Sequence, residues 1–150
     1  MRPLIPPPVI LIFFIGIALG LDILSPLDFL TRQARLPLVI LFAGLGIMVA
    51  ALGIMAFRRH RTTINPHRIN EASALVTTGI YRLTRNPMYL GMLLVLFAVV
   101  AYTGDLMTLL APIGFIVTLN RLQIRPEERA LVATFGNAYS AYCDRVRRWI

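Results

Sequence analysis

The sequence predicts an all-α integral-membrane protein with about four transmembrane helices, a polar connection over 58–87 and a C-terminal amphipathic helix. Three observations lead there. Hydrophobic residues make up 57% of the 150 positions and mean hydropathy is +0.73, well above soluble usage. The apolar residues gather into four segments. The basic residues are all arginine and flank those segments, so a net charge of +8 reads as membrane topology and not as a nucleic-acid face.

The first segment, about Val9–Leu24, is entered through Pro6-Pro7-Pro8. A signal-peptide reading, with Ala18-Leu-Gly20 as cleavage site, is set aside because three more apolar segments follow and losing the first would leave an odd number. Gly16-Ile-Ala-Leu-Gly20 is a face of small residues, expected to pack against helix two or three within a monomer rather than to make a dimer. The second segment, Leu36–Phe57, would rise roughly 33 Å as a helix, enough to span a bilayer. Pro37 suits its first turn, where a missing N–H costs nothing. The third begins at Pro87-Met88 and reaches Tyr102, and Thr103-Gly104-Asp105 turns tightly into the fourth. That segment, Leu106–Leu119, contains Pro112, which predicts a kink. A chain of this length fits one domain, with residues 1–57 as two N-terminal helices and 75–150 as the functional core.

Thirteen of the arginines fall on one side of this arrangement: Arg2, Arg58, Arg59, Arg61, Arg68, Arg82, Arg85, and six after the fourth helix. Arg32 and Arg35 fall on the other. Both termini and the 58–87 connection are therefore expected in the cytoplasm; the all-arginine usage suggests a GC-rich prokaryotic genome, and the expected location is a prokaryotic inner membrane. The lone Cys143 makes no intrachain disulfide, two histidines offer no zinc spacing, and neither a P-loop nor a dinucleotide glycine pattern is present.

Two polar stretches stand out at that end. Thr78-Gly-Ile-Tyr-Arg-Leu-Thr-Arg-Asn-Pro-Met-Tyr-Leu-Gly91 is an arginine-bearing loop that runs into the third helix. Gly79 permits a tight backbone turn; Asn86 is placed to cap the helix with Pro87 at its first position. Arg125-Pro-Glu-Glu-Arg129 opens a C-terminal helix with two acids in its first turn. Leu131, Val132, Phe135, Ala138, Tyr139 and Tyr142 then give it an apolar face that should lie on the membrane surface or over the loop, with a bend at Gly136-Asn137. Headgroup anchoring accounts for many such arginines. It does not account for Glu127 and Glu128, an acid pair in a cationic surround suited to gripping an ammonium or sulfonium group.

Leu75-Val-Thr-Thr-Gly-Ile-Tyr-Arg-Leu-Thr-Arg-Asn-Pro-Met-Tyr-Leu-Gly91 resembles the LVTxGxYRxxR(H/N)PxYxG signature of the isoprenylcysteine carboxyl methyltransferase and phospholipid methyltransferase superfamily. Residues Glu127 to Val146 look like its second signature, EExxLxxxFGxxYxxYxxxV. The resemblance implies a membrane methyltransferase using S-adenosylmethionine (SAM). Carried over, Ser73, Ala74, Leu75 and Val76 would line the adenosine, with Tyr81 nearby. Asn86, Pro87, Met88 and Tyr89 would approach the methionyl part, and Glu127 would hold its ammonium. Asn86 stands where the isoprenylcysteine enzymes carry histidine. Their substrate-binding arginine falls at Gln123, which leaves Arg121 and Arg125 as substrate-binding candidates.

Methyl transfer from a sulfonium is an in-line displacement that asks for alignment and exclusion of water. An amine acceptor must also lose a proton, for which Glu128 and Tyr89 are the catalytic candidates. The acceptor is expected to be a membrane lipid or other lipophilic molecule entering from the bilayer. The alternatives are a phospholipid N-methyltransferase, a reductase of related fold binding NADPH, and a non-catalytic scaffold for anionic lipid.

Overall fold

The computed structural model describes residues 5–24, 27–59 and 75–150. It contains α1 (Pro7–Leu24), α2 (Arg32–Arg59), α3 (Pro87–Thr103), α4 (Leu110–Leu119), α5 (Arg125–Phe135) and α6 (Asn137–Arg145). Short 3-10 turns cover Gly79–Arg82 and Met107–Leu109, and a π-turn covers Asn120–Ile124. No strand occurs among the described residues. Three helical stretches are long and apolar enough to cross a bilayer: Pro7–Leu24, Arg32–Arg58 and Met107–Phe135. The apolar α3, at 17 residues, is shorter, and it packs against α1, α2 and α4.

The core lies between α1, α3 and α4. Ile10, Phe14 and Ala18 of α1 meet Leu93 and Leu96 of α3 and Ala111, Phe115 and Leu119 of α4. The ring of Phe14 packs edge-on to Phe115 at 6.0 Å and lies where a Cβ on Gly114 would stand. Gly16 and Gly20 are not part of this packing: a Cβ on either would meet nothing within 4 Å. The small-residue face expected to pack within the monomer is therefore turned outward, because the apolar face of α1 is set by the bulkier Ile10–Phe14–Ala18 stripe.

The α2–α3 contact is made by glycine. A Cβ on Gly46 would stand 2.7 Å from the Gly91 carbonyl oxygen, and a Cβ on Gly91 2.6 Å from that of Gly46. One turn or two further along, Ala50 and Gly53 continue the seam against Gly91, Pro87 and Met88. Side chains such as Leu36, Ile40, Leu41, Ile47 and Met48 are left exposed on the rest of α2, as a lipid-facing helix requires.

Three boundaries differ from the sequence expectation. Helix α2 starts at Arg32, so Pro37 lies inside it rather than in its first turn; Arg35 extends the helix by bonding the Leu30 carbonyl and pairing with Asp28 at 2.5 Å. Pro112 stands in the first turn of α4 after a 3-10 turn, where its absent N–H breaks no ladder. No separate helix opens at Arg125. The rod continues from Met107 to Phe135 because the Arg125 N–H reaches back five residues to the Asn120 carbonyl. That widened turn comes just before Pro126, whose ring a regular α-helix would force against the carbonyl four residues back. Glu127 and Glu128 consequently sit within a continuous rod and not at a free helix start.

At one end of the bundle Gly104 closes α3 in the left-handed conformation, with φ +68°. The buried Asp105 accepts the N–H groups of Met107, at 2.7 Å, and of Leu27. The loops around Arg85 and Arg148 occupy the other end. Gly136, with φ +52°, makes the expected break before α6.

Candidate functional site

At that second end the two polar stretches meet. Tyr89, in the first turn of α3, donates its hydroxyl to Glu127 Oε1 at 2.5 Å. A single contact thus joins the loop-to-helix stretch to the acid pair across 38 positions of chain. Tyr89 is held by the core cluster on one side. Tyr81, 5% exposed, packs edge-on to Phe57 of α2 at 5.4 Å, and its carbonyl accepts the Tyr142 hydroxyl at 2.7 Å. Burial first, then the charges of Tyr142 and Glu127, push the Tyr81 hydroxyl above its ordinary value. Tyr81 therefore lies within electrostatic reach of Glu127.

The two glutamates, one peptide bond apart, have different surroundings. Glu128 takes a two-pronged contact from Arg148, Nε to Oε1 at 3.0 Å and Nη2 to Oε2 at 2.6 Å, and Arg85 Nη1 lies 3.4 Å from Oε1. Both its oxygens are thus engaged by guanidinium groups. Glu127 has no cationic partner among the described residues; its one donor there is the neutral Tyr89. A partly buried carboxylate so placed lacks a counter-charge. A carboxylate so placed is chemically suited to a cationic ligand group such as an ammonium.

The end of the chain forms a clasp over the loop before α3. Arg85 N–H donates to the Arg147 carbonyl at 3.1 Å, and the Arg148 carbonyl accepts from Thr84 at 3.4 Å and from Asn86 Nδ2 at 2.9 Å. Asn86 does occupy the cap position of α3 with Pro87 following, but its side chain makes no cap bond, being engaged by Arg148 instead. Helix α6 lies over the loop: Tyr139, Tyr142 and Val146 cluster with Leu75, Leu131 and Phe135. Burial pushes the Tyr142 hydroxyl up to about 12, so it stays a donor. Cys143 is taken by Arg85 Nη1.

The remaining expected site residues are distributed around this centre. Val76 and Pro87 are buried and Leu75 is half-buried, while Met88 packs against Gly53 of α2. Ser73 and Ala74 lie outside the described residues, as does most of the 58–74 connection. Arg121 and Arg125 are exposed and line a groove with Glu128, Arg129 and Val132, outside the Tyr89–Glu127 contact. Gln123 is fully buried and donates to the carbonyl of Ile5, just before α1, at 2.5 Å. The Arg85–Glu128–Arg148 clasp was not foreseen; the signal for it was the placement of a second acid where one suffices for an ammonium.

The phospholipid methyltransferase family matches residues 35–138, from the start of α2 into α6. This chain belongs to that family. The matched stretch holds both Tyr89 and Glu127, so the contact between the loop and the acid pair lies within the part this phospholipid methyltransferase family member shares with its relatives. An uncharacterized protein of Haemophilus influenzae (strain ATCC 51907 / DSM 11121 / KW20 / Rd) is 41% identical over 63 residues, which is 42% of this chain and 100% of that protein. No solved structure matches this family member.

Proposed function

We propose that this family member is a SAM-dependent methyltransferase acting on a lipophilic acceptor that reaches the site from the bilayer, in the manner of the isoprenylcysteine carboxyl methyltransferases. The observation that carries the reading is the Tyr89–Glu127 contact: a carboxylate with a neutral donor at 2.5 Å and no described cation, at the junction of the two polar stretches. SAM, when bound, supplies a methyl group activated on a sulfonium centre. Glu127 would hold its ammonium, with Tyr89 fixing the carboxylate's direction. Leu75, Val76, Tyr81 and Asn86–Met88 would enclose the remainder, together with Ser73 and Ala74.

Glu128 serves this reading by anchoring the clasp, which covers the loop before α3 and keeps water from it. With both its oxygens engaged, an acceptor that needs no base fits better than an amine. A carboxylate or phosphate-bearing acceptor is thus favoured over the N-methylation alternative, and Arg121 and Arg125 are the side chains to meet its charge. We place the enzyme in a prokaryotic inner membrane with both termini cytoplasmic.

Calorimetric titration of the purified protein with S-adenosylhomocysteine tests the reading. Saturable binding is expected, weakened about tenfold or more by Glu127→Gln, which keeps the shape and loses the charge. Absence of binding by a folded preparation, with salt-sensitive lipid affinity alone, would leave the scaffold alternative.

A further inference from the structure

We infer that residues 147–149 form a gating strap, hinged at Val146, which lifts from the loop before α3 to open the Tyr89–Glu127 site and returns over it. Helix α6 ends at Arg145, and Val146 is extended, with φ −126° and ψ 128°. Val146 stays with the helix: its N–H bonds the Tyr142 carbonyl at 3.0 Å, and its side chain is buried beside Tyr139 and Tyr142. Beyond it the chain is no longer helical, and its polar ties run to two places. The carbonyls of Arg147 and Arg148 accept from the loop residues Arg85, Thr84 and Asn86, and the Arg148 guanidinium forks onto Glu128. A rotation about Val146 releases this one small set of bonds together and leaves α6 whole.

Two features mark the seated strap as ready to lift. The Arg148 side chain is 33% exposed, so dissolved ions reach the fork and weaken it. Closure also buries two donors, Trp149 Nε1 on the strap and Arg85 Nε in the loop it covers, and neither meets an acceptor among the described residues. A buried donor without an acceptor bears the full cost of leaving water, and lifting the strap returns water to both. Trp149 otherwise acts as an apolar plug, packed against the core cluster that holds Tyr89 and Ile124. What the gate admits follows from the residues under it. Asn86, which the proposed function sets against the methionyl part of SAM, has its Nδ2 engaged by the Arg148 carbonyl at 2.9 Å while the strap is seated. A ligand that takes both Glu127 and Asn86 requires that tie to break, and the fork to Glu128 can re-form over it. The inference rests on the proposed function for the identity of the nucleoside alone; the motion of the strap does not. A gate of this kind slows association by the fraction of time it stands open.

Trp149 is the only tryptophan of the chain, so its fluorescence reports on the strap without a label. In the full chain in detergent, quenching of Trp149 by acrylamide should rise about twofold or more between about 0.1 M and 1 M sodium chloride. Arg148→Ala should raise it as much at low salt. Arg147→Ala removes an exposed side chain and keeps the carbonyl that Arg85 uses, and should change it by less than about 1.2-fold. In stopped-flow mixing, S-adenosylhomocysteine should both bind and leave about threefold or more faster in Arg148→Ala than in the parent, because a gate obstructs both directions. Faster release with unchanged association would make the strap a fixed wall and overturn the inference. Equal quenching of the parent at both salt concentrations and of Arg148→Ala would overturn it as well. A parent that binds no S-adenosylhomocysteine removes the methyltransferase reading, and the quenching series then decides the strap by itself.

Discussion

Glu128 and Arg148 meet through two contacts at 3.0 and 2.6 Å, and this fork ties the last residues of the chain to the rod that spans the bundle. The same arginine's carbonyl holds Asn86 and Thr84, so the side chain and the backbone of one residue fasten two elements. Arg148→Ala should lower unfolding stability by about 1–2 kcal/mol: more than a surface pair, less than a buried one, since the side chains are 33% and 17% exposed and Arg85 remains beside Glu128. Arg148→Lys should recover less than half, a point charge being unable to form the fork. A thermal-shift series in detergent measures both; equal stability of all three proteins would mean the clasp contributes nothing.

The Tyr89–Glu127 contact predicts a different pattern. Tyr89→Phe keeps the ring in the core and removes the one described donor to Glu127. S-adenosylhomocysteine affinity should fall by about tenfold, with the helix content by circular dichroism unchanged. An affinity within twofold of the parent would show that the carboxylate is oriented by something other than this hydroxyl.

Much of this architecture is legible in the amino-acid sequence. Runs of apolar residues give the helices almost directly, because every backbone group in lipid must be satisfied within its own segment. The two motif stretches do meet, through Tyr89 and Glu127, and Gly79, Gly104 and Gly136 sit at the turns their freedom allows, all with positive φ. What the chain did not disclose were relations between distant positions. Arg148 binding Glu128, Asn86 spending its amide on the Arg148 carbonyl, and the π-turn that fuses α4 to α5 each depend on which neighbour arrives in space, and local pattern carries no record of that. The Gly16–Gly20 face misled for the same reason: small residues announce that close packing is possible, not that a partner stands there.

Those glycines allow a direct comparison. Gly91→Ala would drive a methyl to within 2.6 Å of the Gly46 carbonyl and 2.8 Å of the Ala50 Cβ, backbone and short side chain that cannot turn aside. The α2–α3 seam should lose more than about 2 kcal/mol. Gly16→Ala and Gly20→Ala add a methyl in open space and should be neutral or stabilising by roughly 0.5–1 kcal/mol through helix propensity. Thermal unfolding of the three single variants decides it; a loss at Gly16 or Gly20 matching that at Gly91 would mean that an interface covers the outer face of α1.

The two ends of the bundle also make the proposed orientation testable. One end carries Asp28, Arg35, Gly104 and Asp105; the other carries Arg82, Arg85, Arg121, Arg125, Arg129, Arg145, Arg147 and Arg148. In the orientation proposed from retention of arginine on the cytoplasmic side, the Glu127 site faces the cytoplasm. With Cys143 replaced by serine, a cysteine introduced at the exposed Arg32 should react with a membrane-impermeant maleimide in intact cells. One introduced at the exposed Arg147 should react only after the membrane is permeabilised. Neither replacement reverses the charge asymmetry, because each removes one arginine from its own end. The opposite labelling pattern would put the Tyr89–Glu127 contact on the outer face, away from the cytosolic supply of SAM, and the proposed reaction would have no donor.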